Sequence, residues 1–246
     1  MHPEIDRFAH LDSPLHRLDP RFKIVVFSGF LVAVALVRGL MGATLALALA
    51  LLWLSLSRIP LGFTLRRLKG VAFFLVSFLV LLPLTDPGGW QQGLERGGVI
   101  FLKGLAMVLT VLPMFGTTPF HVSMKALNRL RLPARLVTMI LFAYRYLFVF
   151  AEEARTLQQA FKARGFRARG NWRSPKSWGN LVGLMVVRAF ERTERIYQAM
   201  LARGFKEKFG TLQEFSWGWA DAGKSAAIVL ASLGLVGVDR LWIWMM

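Results

Sequence analysis

The chain has 246 residues, of which 55% are hydrophobic and 18% charged, and its formal net charge is +17. Soluble domains carry roughly 45–50% apolar and about 25% charged residues, so the composition indicates an integral membrane protein rather than a soluble enzyme. The chain contains no cysteine, which excludes disulfides, thiolate metal sites and cysteine nucleophiles.

Residues 1–23 form a polar segment that ends in a basic cluster, with Arg17, Arg21 and Lys23 just before the first apolar run. Lys and Arg accumulate on the cytoplasmic side of membrane proteins. The sequence therefore predicts a cytoplasmic N-terminal segment.

Five apolar runs are each close to the length of about 20 residues that crosses a bilayer. The basic residues between the second and third runs return to the side of the N-terminus, and the loop after the third run is not enriched in positive charge. We expect an all-α protein with about five transmembrane helices, four of them in residues 24–118 and the last in residues 211–246. The predicted spans are 24–37, 40–56, 71–84, 99–117 and 222–235.

The segment 119–210 differs from the rest of the chain because it is strongly basic. Residues 121–210 hold 18 of the 31 Lys and Arg residues and only five acidic residues. This charge predicts a cytoplasmic region between the fourth and fifth spans.

The stretch 136–150 is apolar and could be a further span, but the basic residues after it would then lie outside the cell. We favour one long helix at 133–164 that lies along the membrane surface. A second amphipathic helix is predicted at 181–203, after a basic loop at 166–180.

Each of these two helices ends in the same four residues, Ala-Arg-Gly-Phe, at 163–166 and at 202–205. Glycine after the last helical turn adopts the left-handed conformation that ends a helix, and the following Phe can fold back on that turn. The arginine is then held at the helix end, where it suits a carboxylate in a partner protein. Two ordinary glycine-capped helices would give the same pattern, but its repetition in one basic block favours a docking function.

The sequence resembles the transmembrane T component of energy-coupling factor (ECF) transporters, of the cobalt/nickel type, the CbiQ family. The resemblance covers nearly the whole chain and is carried most specifically by the paired Ala-Arg-Gly motifs. It also rests on three flanking segments, Asp12 to Arg21, Tyr144 to Ala154 and Glu194 to Met200.

The resemblance implies a scaffold between two P-loop (ABC-type) ATPases and a separate membrane-embedded substrate-binding S component. Arg164 and Arg203 would anchor the ATPases, and the residues that shape the two helix ends would be Ala163, Gly165, Ala202 and Gly204. The S component would rest on the apolar part of the first long helix, on Leu136, Ile140, Tyr144 and Leu147. ATP and magnesium would bind the partner ATPases and cobalt or nickel the S component, so that this chain has no cofactor of its own.

The remaining motifs do not indicate chemistry in this chain. The histidines lack partners at metal-ligand spacing, and residues 218–225 come within one residue of a P-loop but lack the strand that must precede it. A membrane-embedded enzyme would need facing polar groups at membrane depth, where the predicted spans offer little beyond Lys103.

We therefore expect a non-catalytic subunit of a cobalt or nickel importer in the bacterial inner membrane, with its N-terminus and coupling helices in the cytoplasm. A vitamin-type S component, such as one for biotin, or a T component shared among several S components, remains an alternative that the sequence does not separate.

Overall fold

The computed structural model describes residues 11–130, 132–163, 173–205 and 219–245, and all regular structure within these ranges is helical. This confirms the predicted all-α class. Eight helices follow one another along the described chain: α1 (Pro20–Leu36), α2 (Leu40–Ser57), α3 (Leu61–Thr85), α4 (Trp90–Gly116), α5 (Phe120–Arg129), α6 (Ala134–Ala163), α7 (Arg173–Ala202) and α8 (Trp219–Met245).

The helices belong to two compact units. Helices α1 to α5 and α8 form the membrane unit, and α6 with α7 forms the helix-pair unit. The ten-residue helix α5 was not predicted as a separate element; it packs against α1 in the membrane unit.

Four helices in the described part of the chain are long and apolar enough to cross a membrane: α2, α3, α4 and residues Asp221–Leu241 of α8. The predicted first span corresponds to α1, which has 17 residues and is therefore about 25 Å long, slightly shorter than the roughly 30 Å hydrocarbon core. The long helix α6 is not among the four.

Several helices begin earlier than the hydrophobic runs alone predicted. Helix α3 begins at Leu61, so that the basic cluster around Arg66 is helical. Arg and Lys favour helices, and their long side chains can reach the membrane interface.

The prediction of a loop up to residue 180 was wrong, since α7 already begins at Arg173. Pro175 lies in the first turn of α7, where a missing backbone N–H costs no helical hydrogen bond.

Helix α1 supplies the centre of the membrane unit. Phe27, Phe30 and Val34 lie on one face of α1 at helical spacing and are fully buried. A stripe of small residues on α2, from Ala43 to Ala50, is also fully buried, which lets neighbouring helices approach closely. The main packing partners of α1 and α2 are α4 and α8.

Helix α3 packs against α4 at very short range. A Cβ atom on Gly93 would lie 2.5 Å from Pro83 Cα, and one on Gly97 would lie 3.2 Å from Leu79 Cα. Two glycines four residues apart thus form the contact surface, as is common between membrane helices. The opposite face of α3 is exposed and apolar, as at Phe73, which suits contact with lipid.

Candidate docking site on the helix pair

The end of α7 has the capped geometry that its sequence predicts. Gly204 has a φ of +75°, Gly204 N–H donates to Leu201 O (2.9 Å), and Phe205 N–H donates to Met200 O (3.0 Å). These two hydrogen bonds define a Schellman motif, in which the backbone turns back and satisfies the last carbonyl groups. Arg203 is exposed at this end, so its guanidinium is available at the surface of the described chain.

The end of α6 carries the first copy of the motif. Ala163 is the last residue of α6. Arg164 and Gly165 lie outside the described residues. The predicted helix at 133–164 is thus confirmed up to Ala163.

An ion pair joins the two helices near their middles. Arg188 Nη1 of α7 lies 3.1 Å from Glu153 Oε1 of α6, and Arg192 Nη1 lies 3.9 Å from Glu153 Oε2. All three side chains are partly exposed, so the electrostatic energy is modest, below about 1 kcal/mol for an exposed pair. The pairing marks the register at which α6 and α7 meet.

This contact lies part-way along both helices. Ala163 follows Glu153 by ten residues, whereas Ala202 follows Arg188 by fourteen residues and Arg192 by ten. At 1.5 Å per residue, the end of α6 lies about 15 Å beyond Glu153, and the end of α7 about 21 Å beyond Arg188, the closer of the two arginines. The two helix ends are therefore two arms that extend from the same contact.

The four residues predicted to contact an S component lie along one side of α6. Leu136, Ile140, Tyr144 and Leu147 are separated by four, four and three residues, which places them on one face. Leu136 and Leu147 are about half exposed. Tyr144 packs edge-on against Phe148, with 5.1 Å between the ring centroids, so that the aromatic side chains of this segment support one another.

The segment Asp12 to Arg21, one of those that carry the resemblance, has a structural function in the membrane unit. Ser13 Oγ lies 2.7 Å from His16 Nδ1, and the Asp19 carboxylate caps α1 by accepting from Arg21 N–H. Lys23 is buried and donates to the hydroxyl groups of Thr117 and Thr118, at 3.0 and 2.6 Å. The start of α1 is thus fastened to the junction of α4 and α5.

A second polar cluster fastens the other end of α1. Lys103 Nζ of α4 donates to Ala35 O and Val37 O, at 2.8 and 2.6 Å. The buried carboxylate of Asp239 in α8 accepts hydrogen bonds from Arg38 N–H and Gly39 N–H, at 2.8 and 2.9 Å. Sequence reasoning noted Lys103 but missed Asp239, although a carboxylate in a membrane helix is itself a signal of a specific partner.

Lys103 therefore has a packing role at the end of α1. No group of three or more potential metal-ligating His, Asp or Glu side chains occurs in the described ranges. Residues 219–225 of the near-P-loop segment belong to α8, where Lys224 lies 4.0 Å from Asp221.

Comparison with known proteins finds transporter membrane proteins that align with most of this chain. Two relatives are energy-coupling factor transporter transmembrane proteins EcfT: that of Bacillus selenitireducens is 28% identical over 250 residues, covering 92% of this chain and 93% of the relative. That of Limosilactobacillus fermentum is 27% identical over 249 residues, covering 92% of this chain and 93% of the relative. The cobalt transport protein CbiQ of Rhodobacter capsulatus is 28% identical over 200 residues, covering 77% of this chain and 80% of the relative.

The family profile described as cobalt transport protein, CbiQ, matches residues 12–212. This range includes the N-terminal segment, α1 to α7 and both Ala-Arg-Gly motifs, so the family match covers the features from which the resemblance was inferred. The chain belongs to the CbiQ family of cobalt transport proteins.

Proposed function

We propose that the chain is the T subunit of an ECF-type importer in the bacterial inner membrane. It transmits ATP hydrolysis by two partner ATPases to the movement of a substrate-binding S component and performs no chemistry itself. The observation that carries this proposal is the capped end of α7, where the Schellman motif holds an exposed Arg203 at the helix end. The names of the EcfT and CbiQ relatives support the same assignment.

Each Ala-Arg-Gly motif is a docking element for one ATPase. The guanidinium of Arg203 presents a planar set of N–H donors that can pair with a carboxylate through two hydrogen bonds. Ala202 is exposed beside it and leaves room for the partner backbone. Arg164, flanked by Ala163 and Gly165, has the same function at the end of α6.

The contact between α6 and α7 lets the two docking elements move as one unit. A force at the end of α6 acts about 15 Å from Glu153, and a force at the end of α7 acts about 21 Å from Arg188. Closure of the two ATPases displaces both arms about this contact, which the ion pair marks without supplying most of its energy. This is mechanical coupling through rigid helices.

The S component rests on the apolar face of α6 that contains Leu136, Ile140, Tyr144 and Leu147. The exposed leucines supply apolar area, and Tyr144 supplies a hydroxyl group at the interface with water. The helix pair and the N-terminal segment lie on the cytoplasmic side, in agreement with the excess of Lys and Arg.

The cargo that we propose is cobalt or nickel, supported by the cobalt description of the family profile and by the R. capsulatus relative. In this arrangement the S component selects the metal. The alternative is a vitamin-type S component, such as one for biotin, or a shared T component. The relatives named EcfT cover 92% of this chain, compared with 77% for the CbiQ protein, and their names state no cargo.

Purification of the tagged chain from its host in mild detergent, followed by mass spectrometry, tests the assembly. We expect two ABC-type ATPase copies and a small membrane protein to remain bound. ATP-dependent uptake of radioactive cobalt or nickel into vesicles that contain the recovered complex then tests the cargo. Uptake of a vitamin in place of the metal would support the alternative, and repeated recovery of the chain alone would contradict the importer.

A further inference from the structure

A cavity of about 930 Å³ lies in the membrane unit at the end of the bundle where α1 turns into α2. Its walls come from the turn itself, the start of α2, the end of α3 and the first turns of α4. Clefts of about 300–1,000 Å³ hold small ligands in other proteins, so the space is large enough for a headgroup with part of an acyl chain.

The cavity has an apolar side. Leu40 and Met41 at the start of α2 line it together with Val99 and Ile100 of α4 and Leu82 of α3. Leu40, Met41 and Ile100 are each at least 40% exposed, so this apolar surface is not covered by other parts of the described chain. Leu40 and Met41 begin the candidate transmembrane helix α2, and Ile100 lies within the candidate transmembrane helix α4. The apolar side therefore extends along a membrane helix, where an acyl chain can lie.

The cavity also has a charged side. Arg38, Lys103, Arg96 and Glu95 line it. Arg96 pairs with Asp86 at 2.7 Å, whereas Arg38 forms no ion pair within the described residues. Lys103 Nζ uses two of its three N–H donors on the backbone carbonyl groups of Ala35 and Val37. One Lys103 donor and the Arg38 guanidinium remain for an anion.

We propose that this cavity binds one phosphoglyceride with an amine headgroup, that is, phosphatidylethanolamine. The phosphate lies between Arg38 and Lys103, the two cations that line this part of the cavity. The ammonium group lies towards Glu95, and one acyl chain follows Met41 and Ile100. The charges of both signs complement a zwitterionic headgroup, and the apolar side distinguishes a lipid from a free phosphate ester.

The site also connects a lipid to the helix packing of the membrane unit. Val37, Gly39 and Lys103 belong both to the cavity and to the polar cluster that fastens the end of α1. A bound phosphate therefore adds a further contact at the point where α1, α4 and α8 meet. This proposal depends on the membrane fold and not on the identity of the transported substrate.

Native mass spectrometry of the delipidated full chain, titrated with one lipid at a time, tests the site. The probes are phosphatidylethanolamine, phosphatidylglycerol and the soluble headgroup glycerophosphoethanolamine. Arg38→Ala is the main variant, since the Arg38 side chain forms no ion pair with any described residue and its backbone N–H still reaches Asp239. Arg66→Ala, an exposed arginine near the start of α3, is the matched control.

We expect one tightly bound phosphatidylethanolamine, about tenfold weaker binding in Arg38→Ala, and no change in Arg66→Ala. Ile100→Trp should weaken lipid binding by filling the apolar side, and Glu95→Gln should remove the preference for phosphatidylethanolamine over phosphatidylglycerol.

Equal binding in Arg38→Ala and the original chain, or a preference for phosphatidylglycerol, would overturn the proposal. Competition by glycerophosphoethanolamine at the lipid's own concentration would show a free phosphate-ester site and would also overturn it.

Discussion

A Cβ atom on Gly42 would collide with the carboxylate of Asp239. Gly42 is the third residue of α2, and the missing side chain lets the carboxylate reach the two backbone N–H groups of the α1–α2 turn. The contact joins residues about 200 positions apart in the chain. It fastens α8 to the first two helices of the membrane unit.

Gly42→Ala should therefore destabilise the membrane unit. Overpacking of this kind costs about 1–3 kcal/mol, and the carboxylate would also lose hydrogen bonds. The melting temperature in detergent, followed by tryptophan fluorescence, measures the effect. Gly29→Ala is the control, because a Cβ atom there meets nothing within 4 Å. An equal melting temperature for Gly42→Ala and the original protein would contradict the role of Asp239.

Gly204→Ala should loosen the end of α7. The left-handed φ of +75° costs an alanine about 1 kcal/mol or more, so the Schellman hydrogen bond of Phe205 N–H should open more often. Faster hydrogen exchange in the last turn of α7 and roughly fivefold weaker ATPase binding are expected. Gly183→Ala, in the helical part of α7 with free space around its Cα, should leave both quantities unchanged.

Arg203→Glu should reduce binding of the ATPase by at least about tenfold, because a charge-assisted hydrogen bond is replaced by repulsion from a carboxylate. The protein should still insert and fold, since Arg203 is exposed. Co-purification of the ATPase and substrate uptake are the measurements. Arg164→Glu should have the same effect at the other motif.

The matched control for charge reversal is Arg195→Glu, an exposed arginine eight residues before Arg203 on the same helix. Its reversal should leave ATPase binding largely intact. If Arg195→Glu and Arg203→Glu weaken binding equally, the attraction is general to the basic surface, and the specific docking role of the motif is wrong.

Glu153→Arg should weaken the contact between α6 and α7. The double variant with Arg188→Glu should restore the closer ion pair, although Arg192 then faces the introduced arginine. Spin labels at positions 159 and 199 can be introduced through single cysteines, because the chain has none of its own. The single variant should broaden the distance distribution, and the double variant should narrow it again. The coupling energy should stay below about 1 kcal/mol, as is typical of exposed ion pairs.

Glu152→Arg provides the comparison for this experiment. Glu152 is exposed, precedes Glu153 in α6 and has no ion pair within the described residues. Its reversal should leave the distance distribution unchanged. A broad distribution in the double variant would mean that other contacts set the register of the two helices.

The sequence alone determined the elements whose causes are local. Apolar runs identified the four candidate membrane helices α2, α3, α4 and α8, and the Gly-Phe pair predicted the cap of α7 that the structure contains. These features depend on residues within one or two helical turns, so that the pattern carries the information by itself. The family resemblance rested on the same local motifs.

Only the tertiary structure decided which distant groups meet. Nothing near Asp239 in the sequence indicates that it accepts from Gly39 N–H, and the choice of Glu153 rather than Glu152 as the partner of Arg188 depends on the rotation of α6 against α7. Hydrogen bonds and close packing act over a few ångströms, whereas these partners are 35 to 201 residues apart in the chain. The packing of the helices therefore decides which polar side chains meet. It thereby sets the polar contacts at the two ends of α1 and the ion pair between α6 and α7.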